Sequence, residues 1–165
     1  MSSKYLSEFV YGGIDGTITT FVIVAGAMGA ELPVSVILTL GMANVIADGF
    51  SMALSRYLSA QTEIEQGIQL NKTPAQSAMA TFISFVAIGI IPLIAFIVAH
   101  LLKKSTEQAY YYAYILTALA LYFVGSVKGK ILGQSPIQSG MRTVFIGGIA
   151  GIISYGIGAY IKGQL

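Results

Sequence analysis

The fold of this chain is decided by two apolar segments that each hold one aspartate: Tyr11-Gly12-Gly13-Ile14-Asp15-Gly16 and Asn44-Val45-Ile46-Ala47-Asp48-Gly49-Phe50-Ser51-Met52. A short turn, Glu31-Leu32-Pro33, separates their helices. Each aspartate lies about 16 to 17 residues from Leu32, or roughly 25 Å at about 1.5 Å rise per residue. An antiparallel helix pair therefore brings the two carboxylates to nearly the same depth. A carboxylate at membrane depth costs about 2.5–3.5 kcal/mol and usually marks an ion or proton path.

The composition is that of an integral membrane protein. Of the 165 residues, 55% are hydrophobic and 10% are charged, whereas a soluble domain carries about 25% charged residues. The chain has no cysteine and a single histidine, His100, which excludes disulfides, thiolate metal sites and a histidine-rich metal site. The net charge of +2 gives no indication of nucleic-acid binding, and no cleavable signal peptide is evident.

Five apolar runs approach the length of about 20 residues that a membrane-spanning helix needs. We expect one transmembrane domain over residues 1–165, an all-α fold, and a short polar linker over 60–76. Pro92 lies inside the third run and should kink it. The five helices are predicted at residues 10–30, 34–58, 77–101, 109–127 and 142–161.

The polar residues of the second run recur at helical spacing. Asn44, Asp48 and Met52 are four residues apart, and Ser51 and Ser55 lie close to the same face. Such a stripe should face the bundle interior or a water-filled path rather than lipid. Together with Asp15 on the first helix, these residues form a candidate metal site.

The donor set favours a first-row divalent ion. Carboxylate and amide oxygens suit hard and borderline cations, while the thioether of Met52 is soft. Ferrous iron or manganese fits this mixture better than magnesium or calcium. The carboxylates of Asp15 and Asp48 would also accept protons when the metal leaves, which gives a chemical route to metal–proton exchange.

Lysine and arginine counts predict the orientation. An N-terminus in the cytoplasm places six basic residues inside and three outside, and the C-terminus then lies outside. The inner residues are Lys4, Arg56, Lys72, Lys128, Lys130 and Arg142, and the outer ones are Lys103, Lys104 and Lys162. Five helices cannot form a symmetric path within one chain, so we expect a homodimer.

Both aspartate segments resemble a known family. The run from Tyr11 to Gly26 resembles the first-helix signature of the vacuolar iron transporter family, which includes nodulin-like plant members, and the run from Gly41 to Ser59 resembles its second-helix signature. The resemblance is specific over about residues 11–59, and the five-span layout supports it in outline for the rest.

The resemblance implies a dimer that exports ferrous iron or a related divalent ion from the cytosol by proton antiport. The first two helices of each subunit would line the path, with Asp15 and Met52 at pathway positions. Asn44 falls where some members carry an acidic residue. Members with a full cytoplasmic domain have a glutamate-rich metal-collecting module between the second and third spans, whereas this chain has only Glu63 and Glu65 there.

Other interpretations remain open for single residues. Asp48 could form a structural ion pair with Arg56 or Lys4, and Glu63 and Glu65 could be a solvated helix end. Glu31 is either an ordinary outer-loop charge or a residue that helps the ion to exit, and His100 is expected at the membrane interface.

Two other functional classes were weighed. One is a membrane adaptor that transports nothing. The other is an intramembrane aspartyl protease, whose second signature, Gly-x-Gly-Asp, is missing because Asp48 follows Val45-Ile46-Ala47. We therefore expect a protein that is not an enzyme and has no cofactor. Its partners would be a metal ion, protons and lipid, in a bacterial inner or cell membrane.

Overall fold

The computed structural model describes residues 3–102 and 105–164, which form an all-α membrane protein. Lys103 and Lys104, which entered the prediction of orientation, lie outside the described residues. A 3-10 turn over Ser3–Tyr5 precedes the first helix. The α-helices are α1 (Leu6–Gly29), α2 (Val34–Glu65), α3 (Pro74–Gly89), α4 (Ile91–Leu101), α5 (Thr106–Ile131) and α6 (Pro136–Lys162).

Four of these helices, α1, α2, α5 and α6, are each long and apolar enough to cross a membrane. The helices α3 and α4 meet at a bend of 43°, and they supply a fifth crossing if the pair counts as one span. Pro92 occupies the first turn of α4. Because proline has no N–H and its ring clashes with the preceding turn, a straight helix cannot pass through this position. The kink predicted at Pro92 is therefore confirmed.

The helices extend further than the predicted spans, most clearly at the end of α2. That helix continues to Glu65, so the connection to α3 covers only residues 66–73. Polar contacts one turn apart accompany the extension: Gln61 donates to the Tyr57 hydroxyl, and Thr62 donates to the carbonyl of Leu58. We call the end of the bundle that holds the α1 N-terminus and this connection the inner end, and the opposite end the outer end.

Three helices begin at a similar cap. Thr73 precedes α3, and its hydroxyl accepts the N–H of Gln76 while the Gln76 side chain accepts the N–H of Thr73. The hydroxyls of Ser105 and Ser135 likewise accept a backbone N–H at the starts of α5 and α6. Each cap satisfies a backbone donor that has no partner within its own helix.

Helix α1 is the centre of the bundle, and glycine makes its close packing possible. It contacts α3 and α6 most extensively, and α5, α2 and α4 less. A Cβ added at Gly12 would lie 2.6 Å from the carbonyl oxygen of Thr81, and one at Gly16 would lie 2.5 Å from that of Phe85. Both contacts are too short for a side chain, so these positions allow α1 and α3 to approach backbone to backbone.

Helix α2 lies at the side of the bundle. It packs mainly on α3 and has a smaller contact with α1. Its other surface is apolar and exposed, with Ile46, Phe50 and Leu54 pointing away from the chain. The aspartate-bearing helices α1 and α2 are therefore neighbours, but only α1 is enclosed by the rest of the bundle.

Candidate functional site

Asp15 lies on α1 and Asp48 on the neighbouring helix α2, and both side chains are half-buried. Asp15 is 14 residues from the end of α1, and Asp48 is 14 residues from the start of α2. The helix bounds therefore agree with the similar depth that the sequence predicts for the two aspartates. Two carboxylates brought together in an apolar bundle repel each other unless a cation or a proton lies between them.

Asn44 and Met52 flank Asp48 on α2, one turn away on either side. Both are half-buried. The side-chain nitrogen of Asn44 is buried and makes no hydrogen bond to any described residue. An unsatisfied buried polar group costs about 1–3 kcal/mol. A half-turn of the amide would present its carbonyl oxygen in the same place, which is the atom that a cation would need.

The predicted polar stripe is split by the structure. Asn44, Asp48 and Met52 are half-buried, whereas Ser51 and Ser55 are exposed. The expectation that the stripe faces the bundle interior or a water-filled path stays a prediction for all five residues.

Glu8 is the main polar feature that the sequence analysis missed. Its carboxylate has no exposed surface, although it carries a charge. Lys72 donates to one carboxylate oxygen at 2.6 Å and Arg56 donates to the other at 3.2 Å. Lys72 also donates to the backbone carbonyl of Lys4 at 2.7 Å. We call Glu8, Arg56 and Lys72 the inner ion cluster, which joins α1, α2 and the connection over residues 66–73.

The inner ion cluster bears on two alternatives from the sequence. Arg56 is one of the two residues that could pair with Asp48. In the structure, its guanidinium donates to Glu8 and, at 2.7 Å, to a carboxylate oxygen of Glu63. Glu63 also accepts from Ser59 at 3.2 Å. Its carboxylate therefore takes part in a surface ion pair, while Glu65 is exposed at the end of α2. A metal-collecting role for these two glutamates stays a prediction.

The outer end holds Glu31, which pairs with Lys162 at the end of α6. Glu31 has a φ of 53°, a left-handed conformation that costs energy for a residue with a side chain. Beside it lies a cavity of about 360 Å³ whose lining includes Met28, Glu31 and Glu107. His100 is exposed near the end of α4.

A larger cavity, of about 610 Å³, runs along the inner half of α1. Asp15 lines it together with Lys128, which is near the inner end of α5. The remaining lining is mostly apolar: Leu6, Ser7, Val10, Tyr11, Ile14 and Leu132. Asp15 therefore borders both the α1–α2 contact and an open cavity.

Within residues 3–102 and 105–164, no group of three or more histidine, cysteine, aspartate or glutamate side chains is assembled as a metal site. Transition metals that bind oxygen ligands usually take about six donors, some of them water. The predicted ligands Asp15, Asp48, Asn44 and Met52 would supply two carboxylates, one amide and one thioether, and a metal site at these residues stays a prediction.

Comparison with known proteins identifies relatives over nearly the whole chain. The sequence model of the VIT family matches residues 6–68 and 62–159. The vacuolar iron transporter of Toxoplasma gondii is 26% identical, over 98% of this chain and 76% of its own length. Vacuolar iron transporter 1 of Oryza sativa subsp. japonica is 23% identical, over 98% of this chain and 87% of its own. Vacuolar iron transporter 1 of Arabidopsis thaliana is 24% identical, over 93% of this chain and 85% of its own length.

The matches also indicate where the relatives differ. The alignment with the Toxoplasma gondii protein extends over 228 positions, although this chain has 165 residues. The family match divides at residues 62–68, at the inner end of α2. That is where the sequence analysis expected a reduced connection in place of a larger module.

Proposed function

Because the chain belongs to the VIT family, we propose that it transports a divalent transition metal, ferrous iron or manganese, out of the cytosol. The observation that supports the proposal is the presence of a half-buried aspartate, Asp15 or Asp48, on each of two neighbouring helices that are long and apolar enough to cross a membrane. The relatives' names, which are those of iron transporters, support the class of cargo.

Each side chain of the site has a distinct role in this proposal. Asp15 and Asp48 supply negative charge, which offsets the hydration free energy that the ion loses when it enters the membrane. Asn44 adds a neutral oxygen, and Met52 adds a soft donor that favours iron or manganese over magnesium. A site with few fixed ligands binds weakly enough to release its cargo.

Proton antiport follows from the same two carboxylates. When the metal leaves, Asp15 and Asp48 are again adjacent like charges in an apolar setting, and a proton removes the repulsion. The site then alternates between a metal-bound and a protonated form. Exchange of these two occupants across the membrane couples metal export to proton entry.

A homodimer completes the site in this proposal. The side of α2 that faces away from the bundle is apolar and exposed. The side chains of Asp48 and Met52, which would line the path, are only half-buried in one chain. Pairing two copies through α1 and α2 would cover that surface and double the number of ligands. Closed twofold pairing is the commonest symmetry of such assemblies.

The proposed orientation keeps the N-terminus in the cytoplasm, following the distribution of lysine and arginine. Ions would then enter at the inner end, near Glu63 and Glu65, and leave at the outer end, near Glu31. The relatives are named for the vacuole, so the expected bacterial cell membrane has no support from them. The family and these relatives are transporters by name, which sets the aspartyl protease interpretation aside.

Flux in proteoliposomes tests the proposal. Purified protein should move Mn²⁺ or, without oxygen, Fe²⁺ when a proton gradient is imposed, and Asp15→Ala should abolish that flux. Glu107→Gln is the matched control, because it removes a carboxylate that is exposed in the first turn of α5. Full flux in Asp15→Ala would remove the central residue from the mechanism, and no flux in the wild type would favour the adaptor interpretation.

A further inference from the structure

Lys128 has an unusual position for a charged residue near a helix end. It is half-buried, and its ammonium makes no ion pair or hydrogen bond within the part of the chain that the structure describes. Lys130, in the same last turn of α5, is exposed to the surroundings. A charge that is partly removed from water without a partner is unfavourable, so the position of Lys128 calls for an explanation.

The cavity along the inner half of α1 explains the position of Lys128. Its lining contains two charged residues among those described, Lys128 and Asp15. Asp15 likewise has no cationic partner among the described side chains, and Asp48 repels it. The cavity, of about 610 Å³, therefore connects an unpaired ammonium with an unpaired carboxylate.

A contact between α1 and α5 gives the separation of the two residues along the helix axes. Val124 of α5 lies opposite Gly13, with its methyl 3.5 Å from a Cβ built there. Lys128 is one turn further towards the inner end, and Asp15 is two residues towards the outer end. The offset along the helices is thus about 9 Å, most of which a flexible four-carbon stem and the aspartate side chain can span.

We propose that Lys128 is a displaceable internal cation for Asp15. When no metal is bound, the ammonium extends along the cavity and compensates the carboxylate. A divalent ion that arrives between Asp15 and Asp48 displaces the ammonium from the carboxylate. This inference rests on the proposed transport function and adds a residue from α5 to a path otherwise assigned to α1 and α2.

The consequence is that Lys128 competes with the metal. Competition weakens metal binding, which helps release at the far side, and it keeps the empty site from holding two uncompensated charges. A bystander lysine that only extends its ammonium to the membrane surface would not affect binding at Asp15.

Binding of Mn²⁺ to the purified protein in phosphatidylcholine nanodiscs tests this, with free Mn²⁺ followed by its electron paramagnetic resonance signal. Lys128→Gln and Lys128→Met should bind Mn²⁺ about tenfold more tightly than the wild type, because a nearby cation has been removed. Lys128→Arg should restore the wild-type affinity, and Lys130→Gln should not change it. In an Asp15→Asn background, the Lys128 substitutions should have no effect.

The outcomes separate this inference from the proposed function. If Asp15→Asn weakens binding while both neutral Lys128 variants keep the wild-type affinity, the metal site stands and the internal cation is refuted. Equal tightening in Lys128→Gln and Lys130→Gln would show a general surface charge effect, which also refutes it. Binding that is absent in the wild type, or unchanged in Asp15→Asn, would overturn the metal site and the internal cation together.

Discussion

The inner ion cluster makes a strong prediction about stability, through the substitution Glu8→Gln. The carboxylate of Glu8 is fully enclosed and receives Lys72 at 2.6 Å and Arg56 at 3.2 Å. Removing one member of a buried ion pair costs about 3–5 kcal/mol, because the remaining charge loses its compensation. The side chains of Lys72 and Arg56 keep 11% and 18% of their surface exposed, and each retains a second acceptor, Lys4 carbonyl or Glu63. We therefore expect Glu8→Gln to lower the free energy of unfolding by about 3 kcal/mol, near the lower end of that range.

The matched control is Glu63→Gln. It removes a carboxylate that is 30% exposed and leaves Arg56 paired with Glu8. Exposed ion pairs contribute about 0–1 kcal/mol, so this variant should be close to the wild type. Unfolding in detergent is followed by far-ultraviolet circular dichroism, because the chain contains no tryptophan for fluorescence. The reasoning is refuted if Glu8→Gln is no less stable than Glu63→Gln.

Three further substitutions have defined outcomes. Gly16→Ala should destabilise the protein by about 1–3 kcal/mol through overpacking, since the new methyl meets the Phe85 carbonyl. Gly148→Ala has nothing within 4 Å of the new methyl and should not lower the melting temperature, because alanine favours a helix interior over glycine. Equal melting temperatures for the two variants would contradict the packing of α1 on α3. Asn44→Leu should raise stability by about 1 kcal/mol, by removing an unsatisfied donor, while lowering Mn²⁺ flux; a variant that keeps full flux would exclude Asn44 from the path. Thr73→Ala should cost about 1 kcal/mol by removing the α3 cap, and an unchanged denaturation midpoint would show that the cap adds no stability.

The depth of the two aspartates was predictable because the rise of a helix is fixed. From the turn at residues 31–33, counting residues along each helix gives Asp15 and Asp48 a similar depth. The kink at Pro92 was predictable for a similar reason, since it follows from the covalent structure of proline. These features depend on local geometry, which the sequence specifies directly.

The inner ion cluster was not predictable, because it depends on where a connection passes. Lys72 lies in the segment over residues 66–73, and nothing in the local sequence shows that this segment returns to the N-terminus of α1. A signal was nevertheless present. Glu8 precedes Asp15 by two turns and Arg56 follows Asp48 by about two turns, so the same hairpin that aligns the aspartates also aligns this pair.

The lateral packing of the helices was also beyond the sequence. Glycines at positions 12, 13 and 16 permit close contact with another helix, but nothing in the sequence identifies α3 as that helix. The cavity that joins Asp15 to Lys128 depends on how α5 crosses α1, and hydrophobic periodicity does not specify a crossing. Residues from distant segments therefore entered the site description only through the structure.

The proposed transport site requires a metal ion to bind between Asp15 and Asp48. Crystals of the protein soaked in Mn²⁺ and measured for anomalous scattering should show a manganese peak between α1 and α2, within coordination distance of both carboxylates. Manganese found only at surface carboxylates such as Glu65, with no peak between the two aspartates at saturating Mn²⁺, would exclude this site.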